Sequence, residues 1–200
     1  MTLGMVLMTA ERLQTDLDNQ ANRDPLTGAL NRRAFSLLAK KEIARSRRYE
    51  KSLSILMMDL DKFKQINDCL GHDAGDVLLC RFVAIANKIL REEDVFCRYG
   101  GEEFVALLPN ASDKLALAVA ERLRTTFEAE SKEMEIPDDS RHITVSIGIA
   151  ELEYNEEIES LLHRADVAPY RAKNRGRNCC ELADDIRKNT NNVPMKQTAS

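Results

Sequence analysis

Arg98-Tyr99-Gly100-Gly101-Glu102-Glu103-Phe104 is a glycine- and acid-rich sequence between two β-prone segments, Val95–Arg98 and Phe104–Pro109. Two strand signals joined by a Gly-Gly pair predict a β-hairpin, because glycines accept the positive φ angles of primed turns. The adjacent carboxylates repel each other and add nothing to a core, while the missing side chains of the glycines let an anion approach the backbone. The pattern favours a metal and phosphate site, with a solvated hairpin tip as the alternative.

The composition predicts one globular domain with short extensions. The chain has 200 residues, of which 44% are hydrophobic and 31% are charged, enough for a core and a charged surface. The formal net charge of −4 favours neither nucleic acid nor a membrane surface as a partner. The five cysteines form neither a metal-type CxxC pair nor a disulfide framework. We therefore expect free thiols and a reducing cytoplasm.

The amino-terminal extension, residues 1–22, contains an apolar leader and a predicted helix. Met1–Met8 is much shorter than the roughly 20 residues that a transmembrane helix needs, and it lacks the features of a signal peptide. It is either a leader or the cytoplasmic end of a membrane helix. We favour a fragment of a longer protein, with a sensor or inner-membrane domain before it. Thr9–Ala21 has a narrow apolar stripe, which suits either a coiled coil between two chains or packing on its own domain.

The middle of the chain begins with a helix and a buried strand. Asn31 can cap a helix that ends near Tyr49. Leu53–Leu60 is nearly all apolar, which predicts a central strand covered on both faces. The strand ends in Asp59-Leu60-Asp61, and a carboxylate there is costly to bury unless something positive pairs with it.

The remaining pattern alternates helices with strands. The predicted elements are a helix at 63–69, a polar loop at 71–76, a helix to Leu90 with Val77 on its apolar face, a helix from 112 or 113 to 130, a charged loop at 130–140, a strand at 142–152, a helix at 156–174 and an edge strand at 178–182. Because two strands join by a hairpin, the sheet should be mixed and the fold α+β. The domain spans 23–183, and the polar tail 184–200 is expected to be disordered.

Several motifs follow one another along the chain. They are Asp24-Pro25-Leu26-Thr27-Gly28 with Asn31-Arg32-Arg33, Asp59-Leu60-Asp61-Lys62-Phe63-Lys64 with Asn67-Asp68, Gly71-His72-Asp73-Ala74-Gly75-Asp76, the hairpin sequence 98–104, Val145-Ser146-Ile147-Gly148, and Tyr170-Arg171-Ala172-Lys173 with Gly176-Arg177-Asn178. In this order and spacing they resemble the GGDEF family of bacterial diguanylate cyclases. The resemblance implies a palm-like α+β fold, similar to nucleotidyl cyclases and polymerase palms. It also implies that a homodimer joins two GTP molecules into cyclic di-GMP, with release of two pyrophosphates.

The resemblance assigns the catalytic centre to the end of the predicted central strand and to the hairpin. Asp59, the carbonyl of Leu60 and Glu102 would hold the metal, with Glu103 nearby. These hard oxygen ligands suit Mg²⁺; two ions per site are implied, with Mn²⁺ as a substitute. The family assigns the general base to Glu102, although water or the substrate can take the proton instead. Lys64 would stabilise phosphate charge in the transition state.

The resemblance also implies a set of substrate contacts. They are Asn67, His72, Asp76, Gly100, Gly101, Lys173 and Arg177. Asp76 can accept hydrogen bonds from N1–H and the 2-amino group of guanine, which adenine does not offer. Without the other motifs, Asn67 and Asp76 would be interpreted as helix caps, and Lys173 and Arg177 as a solvated helix end.

A second site is implied outside the catalytic centre. Arg91 and Asp94 match the RxxD product-inhibition motif of the family, and Arg122 matches an arginine that completes this site from a neighbouring subunit. Arginine can bind phosphate with two hydrogen bonds and stack on guanine.

Two positions depart from the usual family pattern, and two other functions are considered. Glu102 replaces aspartate, a variant that the family accepts as active. Pro169 stands where a large apolar residue is usual, and a proline inside a helix removes a hydrogen bond and kinks it, which bears on Lys173 one turn later. The alternatives are a catalytically silent domain that binds cyclic di-GMP or GTP, and a cyclase that makes a cyclic mononucleotide.

Overall fold

The computed structural model of the chain describes residues 21–132 and 143–183, with the backbone alone for residues 168–175. The helix predicted at Thr9–Ala21, most of the charged loop and the tail after residue 183 lie outside the described residues. Within the described part, no helix combines the length and the apolar character that crossing a bilayer requires.

Six strands and five helices alternate along the described chain. They are β1 (Leu30–Asn31), α1 (Arg32–Tyr49), β2 (Leu53–Leu60), α2 (Phe63–Leu70), α3 (His72–Ile89), β3 (Val95–Arg98), β4 (Glu103–Pro109), α4 (Asp113–Lys132), β5 (Val145–Glu151), α5 (Ile158–Arg175) and β6 (Cys180–Leu182). The strands form one sheet in the order β1-β3-β4-β2-β5-β6. The outer pairs β1/β3 and β5/β6 are parallel and the inner pairs are antiparallel. The predicted mixed sheet, with Leu53–Leu60 as a central strand, is confirmed.

Helices cover both faces of the sheet, which explains the almost uninterrupted apolar sequence of β2. Side chains alternate across a strand, so Leu56 and Met58 pack under α2, α3 and α4, whereas Ile55 and Met57 pack under α1 and α5. The first face contains a cluster of aromatic rings: Phe82 lies 4.9 Å from Phe104 and 5.1 Å from Phe127, between ring centroids. Asn31 caps α1 as predicted, since its side chain accepts a hydrogen bond from the amide of Ala34.

The predicted polar loop at 71–76 is wrong, because α3 already begins at His72. One residue with a positive φ, Gly71 at +86°, separates α2 from α3, and Asp73 in the first turn suits the positive end of the helix dipole. The inward position predicted for Val77 is also wrong, since it is 59% exposed. Leu78 and Leu79 fill the core at this level instead.

The hairpin between β3 and β4 is confirmed, but the primed turn is wrong. Neither Gly100 nor Gly101 has a positive φ. The loop is wider than a two-residue turn, because the carbonyl of Glu103 accepts hydrogen bonds from the amides of Tyr99 (2.8 Å) and Gly100 (3.2 Å). The short strand β1 was not predicted, since two residues leave no periodic pattern.

Candidate active site

The end of β2 and the hairpin bring acidic residues from two strands together. Asp59 is the direct antiparallel partner of Glu103, and the amide of Leu60 donates a hydrogen bond to the carbonyl of Glu102 (3.3 Å). Directly opposed residues share a face of the sheet, with their Cβ atoms about 5 Å apart. The register therefore places Asp59 and Glu103 side by side, on the face that α1 and α5 cover.

The two glycines of the hairpin serve different purposes. A Cβ atom added to Gly100 would lie 2.7 Å from Oε2 of Glu103, so the glutamate side chain folds back over this residue. A Cβ atom on Gly101 would meet nothing within 4 Å. A side chain at Gly100 would thus have to displace the Glu103 carboxylate, and Gly101 leaves its backbone open to an approaching group.

Arg98 fastens the hairpin loop to the segment before β1. Its guanidinium donates to the carbonyl of Gly101 (2.8 and 3.0 Å) and to the carboxylate of Asp24 (3.1 and 3.3 Å). Asp24 also accepts hydrogen bonds from the amide and hydroxyl of Thr27. Burial alone would raise the pKa of Asp24, but the hydrogen bonds from Thr27 and Arg98 outweigh it and hold this pKa below its usual value. Sequence reasoning quoted both motifs and missed this link; the Asp-x-x-Thr spacing was the available signal.

Asp61, two residues beyond Asp59, is 1% exposed and has no cationic partner among the described residues. Its carboxylate accepts hydrogen bonds from the hydroxyls of Thr144 (2.6 Å) and Ser146 (2.8 Å) and from the amide of Asn178 (3.1 Å). The expectation that something positive must pair with a buried carboxylate at this strand end is therefore wrong for Asp61: neutral donors satisfy it. Asp61 joins β2, β5 and the turn before β6.

The chemistry of the acidic residues fits a divalent cation. In residues 21–132 and 143–183, no three His, Cys, Asp or Glu side chains are arranged to hold a metal ion. Mg²⁺, however, binds through one or two carboxylates together with substrate phosphates and water. Asp59, the carbonyl of Leu60 and the carboxylates of the hairpin provide that donor set without a complete protein cage.

The residues predicted to select guanine lie on the paired helices α2 and α3. Asn67 is on α2, and His72 and Asp76 are one turn apart on α3. Asn67 packs directly against Gly75, where an added Cβ atom would lie 2.0 Å from its Oδ1 atom. That Oδ1 atom is buried without a hydrogen-bond donor among the described residues. Asp76 is half-buried and His72 is exposed, so both side chains are accessible from solvent.

The residues predicted to contact phosphates come from three separate segments. Lys64 is exposed in the first turn of α2, just after Lys62, whose φ of +61° is left-handed. Arg177 is exposed in the turn between α5 and β6. α5 continues through Pro169 to Arg175. The side chain of Lys173 lies outside the described part.

The residues predicted to form the inhibition site lie at the end of α3 and on α4. The carboxylate of Asp94 accepts a hydrogen bond from the amide of Arg91 (2.8 Å), and burial raises the pKa of Asp94. Arg122 donates to the carbonyl of Ile89 (2.7 Å), only two residues before Arg91. Within the chain, α4 thus places Arg122 close to the Arg91 segment, and its role in completing this site from a neighbouring subunit stays a prediction.

One groove beside the hairpin was missed from the sequence. It measures about 330 Å³ and lies between the start of α1, the hairpin and α5, with Arg32, Tyr99, Glu103, His163 and Asp166 among its lining residues. The guanidinium of Arg32 lies 4.4 Å from the ring centroid of Tyr99. No sequence periodicity indicates this groove, because the helices that form it are far apart in the chain.

Comparison with known proteins agrees with this geometry. Residues 21–179 match the family described as "Diguanylate cyclase, GGDEF domain". The chain is 40% identical over 168 residues to the diguanylate cyclase DgcM of Escherichia coli K12, covering 84% of this chain and 40% of DgcM. It therefore spans less than half the length of that relative.

Two solved structures share the fold. The coiled coil and GGDEF domain of DgcB from Caulobacter crescentus, in complex with c-di-GMP, aligns with a TM-score of 0.77 and 28% identity, covering 90% of this chain and 96% of that chain. The active GGEEF domain of a diguanylate cyclase from Vibrio cholerae aligns with a TM-score of 0.70 and 33% identity, covering 76% of this chain and 96% of that one. With the motifs in the same order and the same palm-like sheet, the chain belongs to the GGDEF-domain family of diguanylate cyclases.

Proposed function

We propose that the protein condenses two GTP molecules into cyclic di-GMP and two pyrophosphates. The observation that carries this proposal is the register of β2 with β4, which sets Asp59 opposite Glu103 and bonds Leu60 to Glu102. An acidic pair beside an open backbone at Gly101 suits a triphosphate and its cation. The V. cholerae relative with the same GGEEF sequence is described as active.

Asp59, the Leu60 carbonyl, Glu102 and Glu103 are the residues that would hold Mg²⁺, with two ions per site and Mn²⁺ as a possible substitute. When bound, the cation neutralises phosphate charge and makes the ribose hydroxyl easier to deprotonate. The chain's own part is to hold these carboxylates on two adjacent strands. Glu102 or a water molecule beside it takes the proton of the attacking hydroxyl.

The substrate is held by groups on both sides of the hairpin. Asn67 and Asp76 bind the guanine edge, with His72 as a third contact from α3, because an asparagine amide and a carboxylate can pair with its donors. The phosphates lie between the exposed cations of α2 and of the α5–β6 turn, and this part of the site uses Lys64, Lys173, Arg177 and the backbone of Gly100 and Gly101. Charge-assisted hydrogen bonds from these groups stabilise the transferred phosphoryl group.

A single subunit holds one GTP, so the reaction requires two chains that face each other around a two-fold axis. Each hydroxyl then attacks the α-phosphate held by the partner. We place the reaction in the cytoplasm, in residues 23–183, as part of a longer protein with an input domain, since the relatives are more than twice as long as the match. The cysteines of the described part are free thiols.

The test is turnover of GTP with Mg²⁺ and identification of the product by mass. The wild-type protein should make cyclic di-GMP, and Glu102→Ala should lose at least about 100-fold in turnover, the scale of removing a group that acts in the transition state. Glu42→Ala, which only breaks a surface ion pair on α1, is the matched control. Equal product from Glu102→Ala would refute the assigned site, and a cyclic mononucleotide product would refute the reaction.

Product inhibition is proposed at the cluster of Arg91, Asp94 and Arg122. Arg91 and Asp94, completed by Arg122 of a neighbouring subunit, can bind the phosphates and the guanine edge of cyclic di-GMP, and the DgcB structure shows a relative in complex with that dinucleotide. Arg91→Ala should retain turnover and lose inhibition by added product. An unchanged inhibition curve would show that the cluster is not regulatory. Calorimetric binding of cyclic di-GMP without any turnover would support the silent binding domain instead.

A further inference from the structure

The turn between α5 and β6 has an unusual backbone. Three of its four residues, Gly176, Arg177 and Asn178, have φ angles of +125°, +66° and +51°. Residues with side chains seldom adopt the left-handed region, and two in succession require support from the surrounding structure. Arg177 is exposed, and among the described residues its guanidinium takes part in no ion pair. The direction of this side chain therefore depends on what holds the turn.

Asn178 connects the turn to Asp61 and to α4 through hydrogen bonds. Its amide donates to the buried carboxylate of Asp61 (3.1 Å). Its side-chain oxygen accepts a hydrogen bond from Nη1 of Arg124 (2.9 Å), and its side-chain nitrogen donates to Oε2 of Glu128 (3.0 Å). Both ends of the asparagine amide are thus matched, a donor to an acceptor and an acceptor to a donor.

Arg124 and Glu128 on α4 are also held by ion pairs with other side chains. Arg124 has a side chain that is 17% exposed, and it pairs with Glu121 (2.8 Å) and with Glu128 (3.3 Å). Glu128 also pairs with Lys132 (2.8 Å). A network of partly buried charges is more rigid than an isolated surface pair, since each member restricts the rotamers of its neighbours.

We propose that Arg124 and Glu128 are positioning residues that act through Asn178 to hold Arg177 towards the GTP phosphates. This rests on the proposed function, because Arg177 is a phosphate ligand only if GTP is the substrate. Neither α4 residue touches the substrate. They clamp the side chain of Asn178 while Asp61 clamps its backbone, so the turn carries its arginine at a fixed distance from Asp59.

The sharpest variant is Asn178→Gly. Glycine accepts the left-handed φ and keeps the amide that bonds to Asp61, so only the clamp to α4 is lost. Asn110→Gly is the matched control, because Asn110 also has a left-handed φ, +57°, but lies at the other end of β4. We expect Asn178→Gly and Arg124→Ala to raise KM for GTP about 3- to 10-fold with kcat nearly unchanged, the size of one or two hydrogen bonds.

Combining variants distinguishes a positioning role of Arg124 from a general loosening of the structure. In Arg177→Ala, adding Arg124→Ala should change KM less than twofold, because the residue that it positions is already gone. Glu128→Gln, which keeps an acceptor for Asn178, should recover most of the affinity lost in Glu128→Ala. An unchanged KM in both Asn178→Gly and Arg124→Ala would overturn the proposal, and so would a full effect of Arg124→Ala in the Arg177→Ala background.

Calorimetric binding of a non-hydrolysable GTP analogue gives the same comparison without turnover. If the wild-type protein binds the analogue and makes no cyclic di-GMP, the proposed function fails while the clamp is still tested by the dissociation constants of the variants. If Arg124→Ala does not fold, Asn178→Gly carries the test.

Discussion

Breaking the link between Arg98 and Asp24 should release the hairpin with a measurable loss of stability. The two side chains are each 18% exposed and joined by two hydrogen bonds, and Arg98 makes two more to the carbonyl of Gly101. A hydrogen bond to a charged group contributes about 1.5–3 kcal/mol, and partial exposure reduces the ion-pair part. For Arg98→Ala we expect a loss of about 2 kcal/mol in the free energy of unfolding, and a larger fractional loss of turnover.

Further variants show how much each contact contributes to this loss of stability. Arg98→Lys keeps the charge but has one donor group, which cannot reach Gly101 and Asp24 together, so it should recover less than half of the stability. Asp24→Asn keeps one side-chain oxygen, which can still accept the hydrogen bonds from Thr27, and loses the ion pair. In a double-mutant cycle of Arg98→Ala with Asp24→Ala, measured by urea unfolding, the coupling energy should be about 1 kcal/mol.

The pH dependence checks the same pair independently. The pKa of Asp24 is lower in the folded protein than its ordinary value of 3.8. Its contribution is therefore complete above pH 3.8 and is lost as the pH falls through the folded-state pKa. Asp24→Asn should have a flatter stability profile below this pH. A coupling energy within error of zero, together with parallel pH profiles, would refute the idea that this pair holds the hairpin.

Three further predictions concern packing and charge around the site. Gly100→Ala should displace the neighbouring glutamate carboxylate, 2.7 Å from the new Cβ atom, and raise the Mg²⁺ concentration needed for half-maximal turnover. Gly101→Ala, with nothing within 4 Å, should leave that concentration unchanged, and equal Mg²⁺ titrations of the two variants would contradict this. Hydrogen bonds from a lysine and an asparagine lower the pKa of Glu128 to about 2 from 4.5, so its stabilisation should disappear between these pH values, a slope that Glu128→Gln removes in acid unfolding. Gly75→Ala puts a methyl group 2.0 Å from Oδ1 of Asn67 and should reduce the preference for GTP over ATP in kcat/KM, unless this asparagine plays no part in base selection.

The sequence was sufficient for the elements with strong local patterns. Leu53–Leu60 was recognisable as a central strand because only a strand covered on both faces is apolar at almost every position. Asn31 was recognisable as a helix cap. The failures occurred where tertiary contacts override local chemistry. A glycine pair normally indicates a primed turn, but here neither glycine has a positive φ, and the Glu103 carboxylate occupies the space beside Gly100.

The loop predicted at 71–76 was wrong for a related reason. Their composition is typical of a loop, yet α3 begins at His72: Gly75 packs against Asn67, and Gly71, with its positive φ, is enough to separate the two helices. Residue roles that depend on distant partners were also hidden. Nothing near Asp61 in the sequence indicates Thr144 or Asn178, which lie 83 and 117 residues away.

Three consecutive residues at the end of β2, Asp59 to Asp61, connect separate sequence motifs in the structure. Asp59 is fixed by the strand register, the amide of Leu60 holds the hairpin through Glu102, and the carboxylate of Asp61 holds β5 and the turn that carries Arg177. Because consecutive residues of a strand are separated by only about 3.3 Å, three parts of the candidate site are tied to one rigid, fully covered segment. A buried carboxylate is costly, and the neutral donors of Asp61 offset that cost without placing a competing cation next to Asp59, the proposed metal ligand. Asp59 is then the carboxylate of this strand end that is left to face the proposed cation, whereas the carboxylate of Asp61 is used for hydrogen bonds within the fold.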